Sequence, residues 1–342
     1  MYTLLLALLL SALGQDTKPP ATQPSETCAI EKVVDADTIH VRRKGAIEKL
    51  RLLSVDAEEK FSSFTEASGT KPATVFGEES AQWARTFFAG LANAGETPSV
   101  GLAFPNGREQ RDVYGRLLCH VLLPDGTDFN LLLVERGISP YFNKYGNDEI
   151  CHADFVAAQA RAQEHTLGIW NPETNRAQTA GAPEARRPYD KLLPWWNARA
   201  AAIDAFRARQ KADPDHAVDA EWPPSLERGA QASKKDDVEV FGSIERLFDE
   251  DSGDLTVLMR SGEKERALRV RIPKDARAAF AKLELERMNE EFRQNYVVVR
   301  GKLRDTGRGF EMRCSDPEAW RVAGPEPSLP KPAKQPAGTG SR

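Results

Sequence analysis

Long apolar runs are scarce in this 342-residue chain. The one that stands out is Leu4 to Leu13, within MYTLLLALLLSALGQ, and it is too short to span a bilayer. Ala12 and Gly14 put small residues where a signal peptidase cuts, so residues 1–14 read as an export signal and the mature chain as secreted or periplasmic. The stretch before the run lacks Lys and Arg, which leaves an uncleaved anchor as the alternative. No cysteine directly follows the run, which argues against a lipid anchor. Cysteine and histidine are also sparse, at four and five residues. No CxxC occurs and the histidines are scattered, which argues against a structural zinc site. Cys28, Cys119, Cys151 and Cys314 allow three complete disulfide pairings in an exported protein, and the sequence does not choose among them. A net charge of −4 supplies no global basic field. That argues against a passive coat on nucleic acid but leaves room for a few local arginines.

The chain is long enough for two folded domains. Residues 15–27 are polar and Pro-rich, a flexible leader. Residues 28–171 carry dense periodic structure. Residues 172–235 read as a linker holding a Trp-rich helix near 194–211, residues 236–323 as a second β-rich domain, and residues 324–342 as a disordered tail. In the first block, residues 29–34, 38–41 and 50–55 alternate in the strand period around an Asp35-Ala36-Asp37 turn. The spacing of Trp83, Phe87 and Leu91 predicts a helix over 78–94, closed by Gly95. A strand pair surrounds Tyr114 to Leu123 and turns at Pro124-Asp125-Gly126. Asn130 is placed to cap a short helix, and a third helix fits 154–166. This is mainly β structure with packed helices, an α+β pattern that a short barrel satisfies.

Three stretches carry chemistry: Asp35-Ala36-Asp37-Thr38, then Arg51 to Glu59 (RLLSVDAEE), then Asp112 to Arg116 (DVYGR). Together they hold the parts for splitting a phosphodiester, which needs a cation, donors for developing charge and an activated water. Asp37 and Asp56 are hard oxygen ligands suited to Ca²⁺. Arg51 and Arg116 offer planar forks that match phosphate oxygens. Glu59 offers a carboxylate for the water. Each piece alone is common in solvated loops and turns.

In combination, DADT, RLLSVDAEE, DVYGR and the closing Gly168-Ile169-Trp170 resemble the staphylococcal nuclease (thermonuclease-like) family over residues 28–171. The resemblance implies an OB-fold five-stranded barrel with three helices, and a calcium-dependent endonuclease that cuts DNA or RNA to 3′-phosphate ends. It implies Asp37 and Asp56 as Ca²⁺ ligands with the Ala57 carbonyl, Glu59 holding the water, and Arg51 and Arg116 on the phosphate. Tyr114 would lie beside the nucleotide, with Tyr145, and also Tyr141, as candidates for base stacking. The family usually has Gly at Ala36, Thr at Ala57 and Pro at Glu58, and Glu58 would add a carboxylate near the metal. The implied partner is single-stranded nucleic acid, met by a monomer. Lys144 and Arg136 are either local positive charge near the substrate or ordinary surface residues. A non-catalytic nucleic-acid-binding module and a calcium-stabilised surface protein are the rival readings.

Trp195 and Trp196 either stack bases or dock their helix onto a barrel. In the second block, five strands with a helix between the third and fourth, near 275–292, follow OB-fold order, so an OB-like domain is expected. Arg269, Arg271, Arg300, Lys302 and Arg313 fit either a nucleic-acid groove or the outer face of a half-exposed sheet.

Overall fold

The structure, a computed structural model, describes residues 23–61, 72–92, 96–112, 114–176, 186–288 and 296–323. The expected export signal, most of the leader and the tail lie outside them.

Strands β1 (Glu26–Asp35), β2 (Thr38–Arg43) and β3 (Ala46–Leu52) form an antiparallel meander. Strand β4 (Ser99–Ala103) pairs with the free side of β1, and β6 (Leu117–Leu122) pairs with β4. Parallel pairing of β6 with β3 closes a five-stranded barrel. The short β5 (Gln110–Arg111) lies against β6. Alternation seats Ile39, Val41, Leu50 and Leu52 in the interior. β4 escaped the sequence reading because Val100, Gly101, Leu102 and Ala103 are all buried, so no alternation marks it. β1 also begins two residues before the expected boundary at Cys28.

Three helices brace this barrel. α1 (Val75–Ala89) is capped by the Thr74 hydroxyl, which accepts from the Gly77 amide at 2.9 Å, and it ends at Gly90 rather than Gly95. α2 (Phe129–Glu135) is capped by Asp128, not Asn130. Asn130 is buried and serves the barrel instead: it accepts from the Val121 amide and donates to the Leu53 and Cys119 carbonyls. α3 (His152–Glu164) packs on α2. All four cysteines are free thiols, so the possible disulfides are not formed.

α4 (Tyr189–Ala212) starts five residues before the expected head at Pro194, which lies inside the helix. Trp196, fully buried, packs edge-on against Phe142 at 4.8 Å and docks the helix onto the barrel. Ile203 and Phe206 pack into the second unit, where Phe206 stacks on Phe241 at 4.4 Å. The same helix therefore grips both units.

The expected linker is not all linker. β7 (Ala217–Asp219) pairs in parallel with β8 (Val238–Asp249), and α5 (Pro223–Ala232) packs on β7. β9 (Leu255–Met259), β10 (Leu268–Ile272), β11 (Tyr296–Gly301), β12 (Leu303–Asp305), β13 (Phe310–Arg313) and β14 (Trp320–Val322) complete a curled half-barrel ordered β12-β13-β10-β9-β8-β11-β14. The expected helix breaks into α6 (Arg277–Phe280) and α7 (Leu285–Met288). No helix among the described residues is long and apolar enough to cross a membrane.

His120 on β6 is fully buried between two carboxylates, with Nδ1 2.7 Å from Asp128 and Nε2 2.9 Å from Asp148. Burial by itself would lower its pKa, but Asp128 and then Asp148 outweigh this and push it up to about 10. The native state thus holds this proton more tightly than the unfolded chain does. The stabilisation is fully present below about pH 6.5 and is lost as pH rises towards 10. Thermal melts from pH 6.5 to 10 should show Tm falling, and His120→Asn should flatten that limb. An unchanged slope in the variant would remove His120 as its cause.

Candidate active site

A bulge in the β1–β2 pairing falls between Val33 and Asp35, immediately before the acidic turn. Bulges re-aim side chains, and here the result is that Asp35 and Asp37 crowd together. Burial, then the charge of Asp37, push the Asp35 carboxyl up to about 7. Ala36 is buried and has no positive φ, so glycine is not required at this turn. Asp37 is buried, takes the Thr38 hydroxyl at 3.0 Å and accepts the Ala57 amide at 2.9 Å.

β3 delivers Arg51, whose guanidinium pairs with Asp37 and, at 2.7 Å, with Asp56. The segment carrying Asp56 is clamped from behind. Its amide donates to the Ser139 hydroxyl at 2.8 Å, and Ser54, at positive φ, donates to Asp148 at 2.5 Å. Glu59 follows, next to Lys60, whose ammonium donates to the Val34 carbonyl at 2.7 Å just before the acidic turn. The Glu59 carbonyl accepts the Thr74 amide at 2.9 Å, which fixes the start of α1 over the site. The fit there is tight: a Cβ on Gly77 would overlap the Glu59 carbonyl. Gly77→Ala should therefore destabilise the fold by about 1–3 kcal/mol. A denaturant titration measures it, and a neutral result would show that α1 can shift away.

The structure thus brings together Asp35, Asp37, Arg51, Asp56 and Glu59. It places Arg116 at the head of β6, beside β3, with its guanidinium on Asp112 at 2.7 Å and over the Tyr114 ring at 5.5 Å. Arg116 makes no direct contact with the carboxylates among the described residues. Tyr114 is 81% exposed, free to meet a ligand. Tyr145 is also exposed, at 54%. Tyr141 is not a stacking platform: it is buried, and its hydroxyl lies 2.8 Å from His152 Nδ1 and accepts the Asp148 amide.

Two expectations are corrected. Glu58 adds no carboxylate to the cluster. It is buried, accepts the Thr74 hydroxyl and the Asn175 amide at 2.6 Å each, and takes the Tyr189 hydroxyl at 3.3 Å. Lys144 is no ordinary surface residue: its ammonium sits 5.1 Å from the Trp195 ring and 5.5 Å from that of Tyr145. Burial, then Arg199, push it down to about 8. Arg136 lies elsewhere, over Trp83.

Sequence reasoning missed Arg187. It is buried, donates to Asp56 Oδ2 at 2.5 Å and to the Asp56 carbonyl at 3.1 Å, and rests beside the Trp196 and Tyr189 rings. No motif marks it, because it lies 131 residues from Asp56 in a polar stretch. Breaking a buried pair by removing one partner costs about 3–5 kcal/mol. Arg187→Ala should lose stability on that scale by denaturant melt, and a loss below about 1 kcal/mol would mark the pair as dispensable.

Several carboxylates crowded around one centre are the donor set of a hard cation, which takes carboxylate and carbonyl oxygens. Asp37 and Asp56 flank the Arg51 guanidinium, and Asp35 accepts the Asp37 amide at 3.3 Å beside them. The residues present fit a metal ion.

A staphylococcal nuclease homologue pattern matches residues 49–172. The thermonuclease of Staphylococcus intermedius is 30% identical over 145 residues, 42% of this chain and 76% of that protein. The chain belongs to the staphylococcal nuclease family. The endonuclease YhcR of Bacillus subtilis strain 168 is 30% identical over 164 residues, 47% of this chain, which spans only 13% of that protein's length. An endonuclease of Escherichia coli O157:H7 is 27% identical over 142 residues, 42% of this chain and 75% of that protein. The acidic barrel is thus the nuclease-type domain of this chain. The matched region stops before Arg187 and before the whole half-barrel.

Proposed function

We propose that this protein is an exported, calcium-dependent endonuclease that hydrolyses phosphodiester bonds of single-stranded DNA or RNA, as a monomer, leaving 3′-phosphate ends. The observation that carries the reading is the convergence of Asp37, Arg51 and Asp56 at one end of a family-type barrel. Asp37 and Asp56 would hold Ca²⁺ with the Ala57 carbonyl. Bound there, the ion would supply positive charge for the phosphoryl oxygens and lower the pKa of a coordinated water. Glu59 orients the attacking water and accepts its proton. Arg51 turns one face of its fork to the phosphate while Asp37 and Asp56 keep it from drifting. Arg116, preset by Asp112, brings the second fork to the charge that develops. Tyr114, exposed beside Arg116, packs against the adjoining nucleotide. The apolar run before Gln15 supports export.

Digestion of single-stranded DNA and RNA by the purified chain, in Ca²⁺ and then in EGTA, tests this. Cleavage is expected in Ca²⁺ alone. Asp37→Ala and Arg116→Ala should each lose about 10²–10³ in kcat, about 3–4 kcal/mol, and stay folded by circular dichroism. Activity retained in both variants would sink the assignment. Binding without cleavage in Ca²⁺ would establish the non-catalytic module instead.

A further inference from the structure

The seam between the barrel, α4 and the half-barrel is rich in hydrogen-bond donors and poor in acceptors. From the barrel comes Lys144, whose ammonium faces the Trp195 and Tyr145 rings and has no ion pair among the described residues. From α4 come Trp195 and Arg199. Arg199 donates to the Lys144 carbonyl at 3.2 Å and lies 4.5 Å from the ring of Tyr296, on the half-barrel. From the half-barrel comes Arg260, just after β9, which has no ion pair among the described residues either. Its amide donates to the Ser243 carbonyl at 2.9 Å, and Ser243 lies opposite Tyr296 in the β8–β11 pairing, which sets Arg260 beside the ring that Arg199 covers.

Two buried donors at this seam, Trp195 Nε1 and Arg260 Nε, have no acceptor. Buried polar groups are nearly always satisfied, so orphaned donors beside Lys144 and Arg260 point to an anion that completes them. The carboxyls within reach do not serve. Asp56 is held by Arg51 and Arg187. Glu221 takes the Ser243 hydroxyl at 3.0 Å but makes no ion pair with Arg260 among the described residues, and burial followed by Asp219 pushes its carboxyl up to about 7 against the pull of Arg260. The seam adjoins the acidic centre: just before Lys144, Tyr141 bridges Val55 and the Phe142 amide donates to the Ser54 carbonyl at 2.9 Å, in the segment that carries Asp56. Tyr145, 54% exposed, gives the seam a ring face on which a base can lie.

We propose that Lys144 and Arg260 form a backbone-phosphate site for the substrate strand, with Tyr145 as its stacking platform, so that the half-barrel supplies a substrate-binding residue to the nuclease domain. The inference rests on the nucleic-acid reading above, but not on turnover. Of the five basic strand residues singled out in the sequence, Arg271 pairs with Glu311, and Arg300 and Lys302 with Asp237.

Fluorescence anisotropy of a labelled oligothymidylate with the full chain in EGTA, across a salt series, tests the site without cleavage. Arg260→Gln and Lys144→Gln should each weaken binding about tenfold and lower the salt slope by about one. Arg260→Lys, which keeps the charge, should restore most of the affinity and the slope. Unchanged affinity and slope in both Gln variants, each shown folded by its melt, would overturn the proposal. So would a parent chain that does not bind the strand. A parent that binds yet never cleaves in Ca²⁺ would defeat the catalytic reading and leave this one standing.

Discussion

Asp56 is the point on which the rest of the structure turns. One carboxylate oxygen holds Arg51 from β3, the other holds Arg187 from the segment before α4, and its amide rests on Ser139. A carboxylate this buried would be costly if left bare, because water cannot reach it and the interior screens poorly. Two guanidiniums on one side chain offset that cost and fix its direction. Placing Arg51 on Asp37 as well locks the acidic turn to the β3 edge. The geometry of the chemical centre and the docking of α4 are thus two results of one ion network.

From that network the architecture follows outward. Arg187 lies beside Trp196, and Trp196 seats the first half of α4 against Phe142 of the barrel. The second half of α4 then carries Phe206 to Phe241, and Phe241 stacks on Tyr296. The half-barrel is held at a set position beside the acidic end, not on a loose tether. That position is what brings Arg260 to the seam.

The barrel and its acidic centre were legible in the sequence because local rules wrote them. Strand alternation marks β2 and β3, and Asp37, Arg51, Asp56 and Glu59 sit within two short motifs. β4 was not legible, since burial on both faces erases the period-2 signal. The cap of α2 was misread because Asp128 and Asn130 are both good capping residues, and only the tertiary fold assigns Asn130 to the Leu53 and Cys119 carbonyls. Arg187 and Glu58 were illegible for a deeper reason. Their roles are made by contacts more than a hundred residues apart in the chain, which no local pattern records.

Glu58 has a consequence for how the molecule comes into being. Its carboxylate is closed by Thr74 from its own domain and by Asn175 and Tyr189 from beyond it. A chain made from its N-terminus releases the barrel strands first, and Glu58 and Asp56 then wait for partners still to be synthesised. A chain that stops before Asn175 lacks these partners, so its acidic end is incomplete.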